Sequence, residues 1–198
     1  MILLPQRQMG DWQPYVFYKD EFTPSECETI ISIARCLRPE KALTGGNENT
    51  SENPEVRSSE LRWMQHQKKT EWVFDKLAKV IASVQQNWYP FALSGFQEPI
   101  QITHYKASDG GHYQEHRDFG PANMSTRKLS MVMLLNSTSE FDGGELEILS
   151  KPDKDKTVKE ISQGTVIVFP SWELHRVRHV TAGERWSLVT WIHGPAFV

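Results

Sequence analysis

Apolar positions change their period near residue 93, and that change divides the chain into two kinds of predicted element. Before it, Cys27, Ile30, Ile31 and Ala34 recur at helical spacing. Thr23 can cap this helix, Pro24 suits its first position, Glu26 completes a capping box and Pro39 stops the run. A second helix opens near Thr70, with Val73, Leu77, Val80, Ile81, Val84 and Trp88 as an apolar stripe that Pro90 ends. Between them, "LTGGNENTSENPEVRSS" is polar and aperiodic. It reads as a surface loop, and loops of this length in compact domains often cover a site. Thr44–Ser59 is therefore the candidate lid.

From residue 93 onward, short β runs alternate with turn signals. "PIQITHYKA" alternates, "SDGG" (Ser108–Gly111) turns and "HYQEHRD" resumes; "RKLSMVMLL" is an apolar strand, "FDGG" a turn and "ELEILS" another strand. After the charged "KPDKDKT" come a buried strand "GTVIVF", then "LHRVRHV", a "TAGE" turn and the closing "RWSLVTWI". About seven short strands so spaced predict a sandwich or barrel-like double sheet, with both helices buttressing one sheet. The expected fold is mainly β with N-terminal helices, in a single domain over residues 1–198. Residues 1–92 supply helical support and the mobile loop, and 93–198 form the β core.

Composition narrows the function. At 198 residues, 38% hydrophobic with seven tryptophans, the chain can bury a substantial core. Its net charge of −3 lacks the basic excess expected of a nucleic-acid or anionic-membrane partner. No apolar window reaches membrane-spanning length, and "MILLPQRQMGDW" has neither the basic lead nor the cleavage site of a secretory signal. Cys27 and Cys36 fall on one helix, too far apart along its axis to be bridged. These features predict a cytoplasmic protein in a reducing compartment.

The chemistry concentrates in "HYQEHRDFG". His116 and Asp118 are two apart, so on an extended segment they face the same way and can converge on one ion. His175, in "FPSWELHRVRHVTAGER", is the candidate third ligand from a distant strand. Two imidazoles and one carboxylate on one face suit non-haem Fe(II) and leave positions open for a chelating co-substrate and dioxygen. A closed zinc site would need a fourth His or Cys. Arg185, ten residues after His175, could hold a second carboxylate through two parallel hydrogen bonds. A metal at one end and a guanidinium at the other match the length of 2-oxoglutarate. His112, by contrast, lies about 13 Å from His116 if the segment is extended, and His66, His104, His179 and His193 lack comparable partners.

Residues from about Glu98 to Gly194 resemble the Fe(II)/2-oxoglutarate dioxygenases, within them the prolyl 4-hydroxylase group. The match is carried by "HYKASDGGHYQEHRD", "RKLSMVMLLN", "FDGGELEI" and "GTVIVFPSWELHRVRHVTAGERWSLVTWIHG". "HRVRHVTAGERWSL" is also similar to PKHD-type hydroxylases, and "FYKDEFTPSECETIISIA" and "VRSSELRWM" agree more loosely with the family's front half. The resemblance implies a double-stranded β-helix (jelly-roll) core with His116, Asp118 and His175 as iron ligands. It places the co-substrate carboxylate on Arg185, where prolyl 4-hydroxylases usually carry lysine, with Tyr105 helping to hold the co-substrate. The family's "GGET" is "GGEL" here, so Leu146 replaces a threonine that contacts the co-substrate. Arg127 and Trp191 fall at candidate substrate-binding positions. The implied cofactors are Fe(II), 2-oxoglutarate and O2, with ascorbate a further candidate.

The implied reaction hydroxylates an unactivated C–H and releases succinate and CO2. A proline-containing peptide or protein is the first-ranked substrate; a free amino acid or other small molecule is the alternative. Nucleic-acid demethylases share H-x-D…H but typically carry two arginines six apart after the last ligand, and here Trp191 stands at that offset from Arg185. A non-catalytic jelly-roll binding module is a rival from another class. It has no need of an intact triad together with its arginine. A zinc hydrolase would want Glu115 as its base, and beside His116 on a strand that residue faces the wrong way.

Overall fold

A computed structural model describes residues 13–43, 51–150 and 154–196. Helix α1 (Pro24–Arg35) begins as its capping box dictates: the Glu26 backbone N–H donates to Thr23 Oγ1 at 3.3 Å, and the Thr23 N–H donates to Glu26 Oε2 at 2.8 Å. Helix α2 (Glu71–Asn87) buries Val73, Phe74, Leu77, Val80, Ile81 and Val84. Trp88 does not join this stripe. It is the C-cap residue, its backbone leaves helical geometry, and its side chain is 46% exposed.

Among the described residues, four short strands precede residue 93: β1 (Val16–Tyr18), β2 (Glu40–Lys41), β3 (Arg57–Ser58) and β4 (Glu60–Met64). The front half is thus more than helices and a loop. The later strands are β5 (Gly95–Phe96), β6 (Ile100–Lys106), β7 (His112–His116), β8 (Arg127–Leu134) and β9 (Phe141–Gly143). They continue with β10 (Leu146–Ile148), β11 (Val166–Pro170), β12 (His175–Val177) and β13 (Val180–His193). The major sheet runs β1-β11-β8-β13-β6-β4-β2, with β5 and β9 also pairing β13; the minor sheet runs β10-β12-β7-β3. All the strand pairings are antiparallel.

Two apolar layers hold this together. One joins both helices to the major sheet through side chains such as Ile30, Leu77, Ile102, Met131 and Leu188. The other joins the two sheets through Tyr105, Val132, Leu146, Phe169 and Val177. Burying each such aliphatic or aromatic side chain is worth roughly 1.5–3 kcal/mol. Strands β6, β8 and β11 lie between the layers and are buried on both faces, so their sequences read as near-continuous apolar runs.

Two expected turns are corrected. "TAGE" lies inside β13, which continues as one strand through a bulge between Val180 and Ala182. Gly183 takes φ +68° there, and any side chain would run into the Glu140 carbonyl. In "FDGG", Phe141–Gly143 is strand β9, and Gly143 and Gly144 take positive φ where that strand ends. Cys27 is buried, Cys36 is exposed, and both are free. No helix among the described residues is long and apolar enough to cross a membrane.

Candidate metal centre

Antiparallel pairing of β7 with β12 sets His116 directly across from His175. Asp118 lies just past the end of β7, where its backbone N–H donates to the Ser171 carbonyl at 3.0 Å. One ligand atom from each of the three residues lies within 4.8 Å of the other two. Nε2 of His116 is 3.7 Å from Asp118 Oδ1, and Nε2 of His175 is 3.7 Å from Oδ2.

Each imidazole is oriented from behind. His116 Nδ1 lies 2.8 Å from the Gln114 carbonyl and His175 Nδ1 lies 2.9 Å from the Glu173 carbonyl. A carbonyl only accepts, so Nδ1 carries the proton and the Nε2 lone pair is free for a metal. Ser130 Oγ donates to Asp118 Oδ2 at 2.6 Å. Burial pushes the His116 pKa down, and His175 pushes it further, against the pull of Asp118. Burial alone would raise the Asp118 pKa; His175, His116 and the Ser130 hydroxyl reverse this and hold it below the ordinary range. A neutral His116 imidazole beside an ionised Asp118 carboxylate is a pairing that binds a divalent cation.

A cavity of about 300 Å³ extends from these residues into the space between the sheets. Arg185 on β13 lines it and stands opposite Tyr105 of β6, with its guanidinium carbon 5.6 Å from the Tyr105 ring centre. Arg185 is 1% exposed, and both Nη1 and Nη2 are buried without a hydrogen-bond partner among the described residues. Burial pushes its pKa down. Val132, Leu146, Val177 and Val189 give the same cavity apolar walls. An unsatisfied buried cation is costly, so this one is built for a ligand with two acceptor oxygens.

The other expected residues are also at the cavity. Arg127 is committed: Nε and Nη2 grip Glu98 at 2.8 and 2.6 Å, Nη1 reaches the Asp118 carbonyl at 3.3 Å, and the guanidinium stacks 3.7 Å from the Trp191 ring. The Trp191 indole favours the Asp118 anion, although its Nε1 has no partner in full hydrogen-bond geometry. His112 is outside the metal cluster; it stacks on His179 at 4.0 Å and contacts the Gly110 and Glu55 carbonyls.

Sequence reasoning missed Tyr113 and Arg57. The Tyr113 ring stacks on His116 at 3.5 Å, and the Arg57 guanidinium sits 4.3 Å over the Tyr113 ring. Pairing of β3 with β7 makes this contact, and no local sequence signal joins residues 56 positions apart. Of the candidate lid, residues 44–50 lie outside the described residues. Its later part meets the other expected flank, where Ser58 Oγ donates to the Asp109 carbonyl at 2.7 Å.

Residues 100–193 match the family model described as the 2OG-Fe(II) oxygenase superfamily. A PKHD-type hydroxylase of Crocosphaera subtropica is 35% identical over 85 residues, covering 41% of this chain and 37% of that protein. The chain therefore spans well under half the length of that relative. Among solved structures, a Pseudomonas putida prolyl-4-hydroxylase superposes with TM-score 0.67 at 17% identity, covering 92% of this chain and 94% of the other. A viral collagen prolyl hydroxylase of Paramecium Bursaria Chlorella virus-1, solved with 2OG, gives TM-score 0.67 at 20% identity, covering 93% and 98%. Those two likenesses establish the jelly-roll fold. The matched span, residues 100–193, is the one that holds the metal cluster, Tyr105 and Arg185.

Proposed function

We propose that this chain is an Fe(II)- and 2-oxoglutarate-dependent dioxygenase that hydroxylates an unactivated C–H bond, converting a peptidyl proline to 4-hydroxyproline. One observation carries the reading. A single apolar-walled cavity has a His–Asp–His cluster at one end and, at the other, a buried guanidinium without a hydrogen-bond partner among the described residues. Bound there with 2-oxoglutarate, Fe(II) would supply O2 activation, coupling release of succinate and CO2 to hydroxylation of the C–H bond.

The residues divide the remaining work. His116, Asp118 and His175 hold the metal from one side. Ser130, with the Gln114 and Glu173 carbonyls, fixes the ligands' orientation and protonation. Arg185 takes the far carboxylate as a bidentate pair, flanked by Tyr105, and thereby sets the distance from that carboxylate to the metal. Leu146 supplies no hydrogen bond, so the guanidinium fork carries that end. Val132, Val177 and Val189 keep water from the co-substrate chain. The prolyl hydroxylases among the structural neighbours support proline as the target.

The test is succinate formation by anaerobically Fe(II)-loaded protein with 2-oxoglutarate and a panel of proline-rich peptides. Peptide-stimulated turnover with a 16 Da gain on proline, lost in His116→Ala, is expected. Absence of both turnover and 2-oxoglutarate binding would overturn the reading.

A further inference from the structure

The cavity is strongly cationic in an acidic protein. Five of its lining side chains are Lys or Arg and two are acidic, whereas the chain as a whole carries −3. Most of these charges are already engaged. Lys41 pairs with Glu52 at 3.1 Å, Arg127 is held by Glu98, and Glu40 accepts from Trp63 Nε1. On the proposed function, a divalent metal, Asp118, Arg185 and a 2-oxoglutarate dianion sum to zero formal charge. Two cations, Arg57 and Arg117, then remain against one carboxylate, Glu40, whose hydrogen bond comes from a neutral indole.

Neither is paired with a carboxylate among the described residues. Arg57 Nε donates to Ser59 Oγ at 3.1 Å, and Arg117 Nε donates to the Trp172 carbonyl at 2.9 Å. These bonds through Nε fix where each guanidinium stands; Arg57 also interacts with the Tyr113 hydroxyl, and neither guanidinium is committed to a carboxylate. Both stand close to the metal ligands. Arg57 lies over the Tyr113 ring, which stacks on His116, and Arg117, beyond the end of β7, lines the same cavity as the ligands. They also come from different elements, β3 and the chain beyond β7, so a ligand bridging them would tie the two together.

We infer that Arg57 and Arg117 form a carboxylate-reading subsite, so that the substrate bears an acidic group next to the carbon that is hydroxylated. This deepens the proposed function and rests on it for the word substrate. A carboxylate that reaches two guanidiniums lining one cavity, neither paired with a carboxylate, gains charge-assisted hydrogen bonds that its amide cannot match. Two sources supply that chemistry: the α-carboxylate of an amino acid or chain end, and an Asp or Glu side chain beside the target.

The test is direct binding to Mn(II)-loaded protein with 2-oxoglutarate under nitrogen, followed by calorimetry. One arm compares N-acetyl-proline with N-acetyl-prolinamide. The other compares a capped tripeptide, acetyl-Glu-Pro-Ala-amide, with its Gln counterpart. The acid should bind about tenfold more tightly than its amide in one arm, and that arm names the source. The preference should shrink at high salt, fall in Arg57→Gln and in Arg117→Gln, and persist largely in Arg57→Lys. Thermal midpoints near wild type for these variants show that the fold is intact.

No acid-over-amide preference in either arm overturns the inference. So does a preference that survives both Gln substitutions, or binding of a short single-stranded oligonucleotide in place of either acid. Failure of 2-oxoglutarate to bind would instead overturn the proposed function, and the acid–amide comparison can still be read on the metal-loaded protein.

Discussion

The two ends of the cavity satisfy their polar groups in opposite ways. At the metal end each ligand has its own protein partner: Gln114 for His116, Glu173 for His175 and Ser130 for Asp118. At the other end Arg185 is almost fully buried, yet its terminal nitrogens have no hydrogen-bond partner among the described residues. One end is preorganised by internal bonds; the other is left incomplete and depends on what binds. Such incompleteness marks a ligand site more sharply than burial alone, because buried polar groups are otherwise almost always paired.

The predictions break that contrast from its strongest point to its weakest. Asp118→Ala removes the one anionic ligand. Metal affinity, measured by competition with a chelator, should fall by more than the roughly 10–100-fold typical of losing an outer-shell partner. Arg185→Met should abolish 2-oxoglutarate binding, since truncating a buried, hydrogen-bonded charge partner costs about 2–5 kcal/mol or more. The same change should stabilise the ligand-free protein, because it removes an unsatisfied buried cation. Calorimetry should show the thermal midpoint rising by about 2–4 °C per kcal/mol gained. An unchanged or lower midpoint would mean the guanidinium is satisfied after all.

Ser130→Ala should weaken metal binding by about 10–100-fold without removing a ligand. Metal-chelator competition would show whether the Ser130–Asp118 bond has this role. The smallest effect lies outside the cavity, where Lys106 holds the Glu60 pKa below its ordinary value. A depressed folded-state pKa contributes stability above the unfolded value and loses it as pH falls through the folded value. Lys106→Gln should therefore cost about 0.2–1 kcal/mol at neutral pH, and denaturant titrations should show the difference vanishing in acid.

Much of this site was legible in the sequence because its logic is local or periodic. His116 and Asp118 announce themselves two apart, and α1 is bounded by Thr23, Glu26 and Pro24. What escaped was set by pairing between distant segments. Arg57 reaches Tyr113 only because β3 joins β7, and Glu98 claims Arg127 across 29 residues. "TAGE" carries turn chemistry, yet β9 on one side and the rest of β13 on the other keep it within a strand, with Gly183 absorbing the bend. Trp88 fits the helical period, but the helix ends one residue too early to bury it.

The central claim is that metal and guanidinium grip opposite ends of one 2-oxo acid. Its most direct test is to titrate anaerobic Fe(II)-loaded protein with 2-oxoglutarate and with 2-oxopentanoate, following the visible charge-transfer band of an Fe(II)–2-oxo acid chelate. The account predicts tight binding of 2-oxoglutarate, much weaker binding of the acid lacking the far carboxylate, and loss of that discrimination in Arg185→Met. Equal affinity for the two acids in the wild-type protein, or discrimination that survives Arg185→Met, would contradict it.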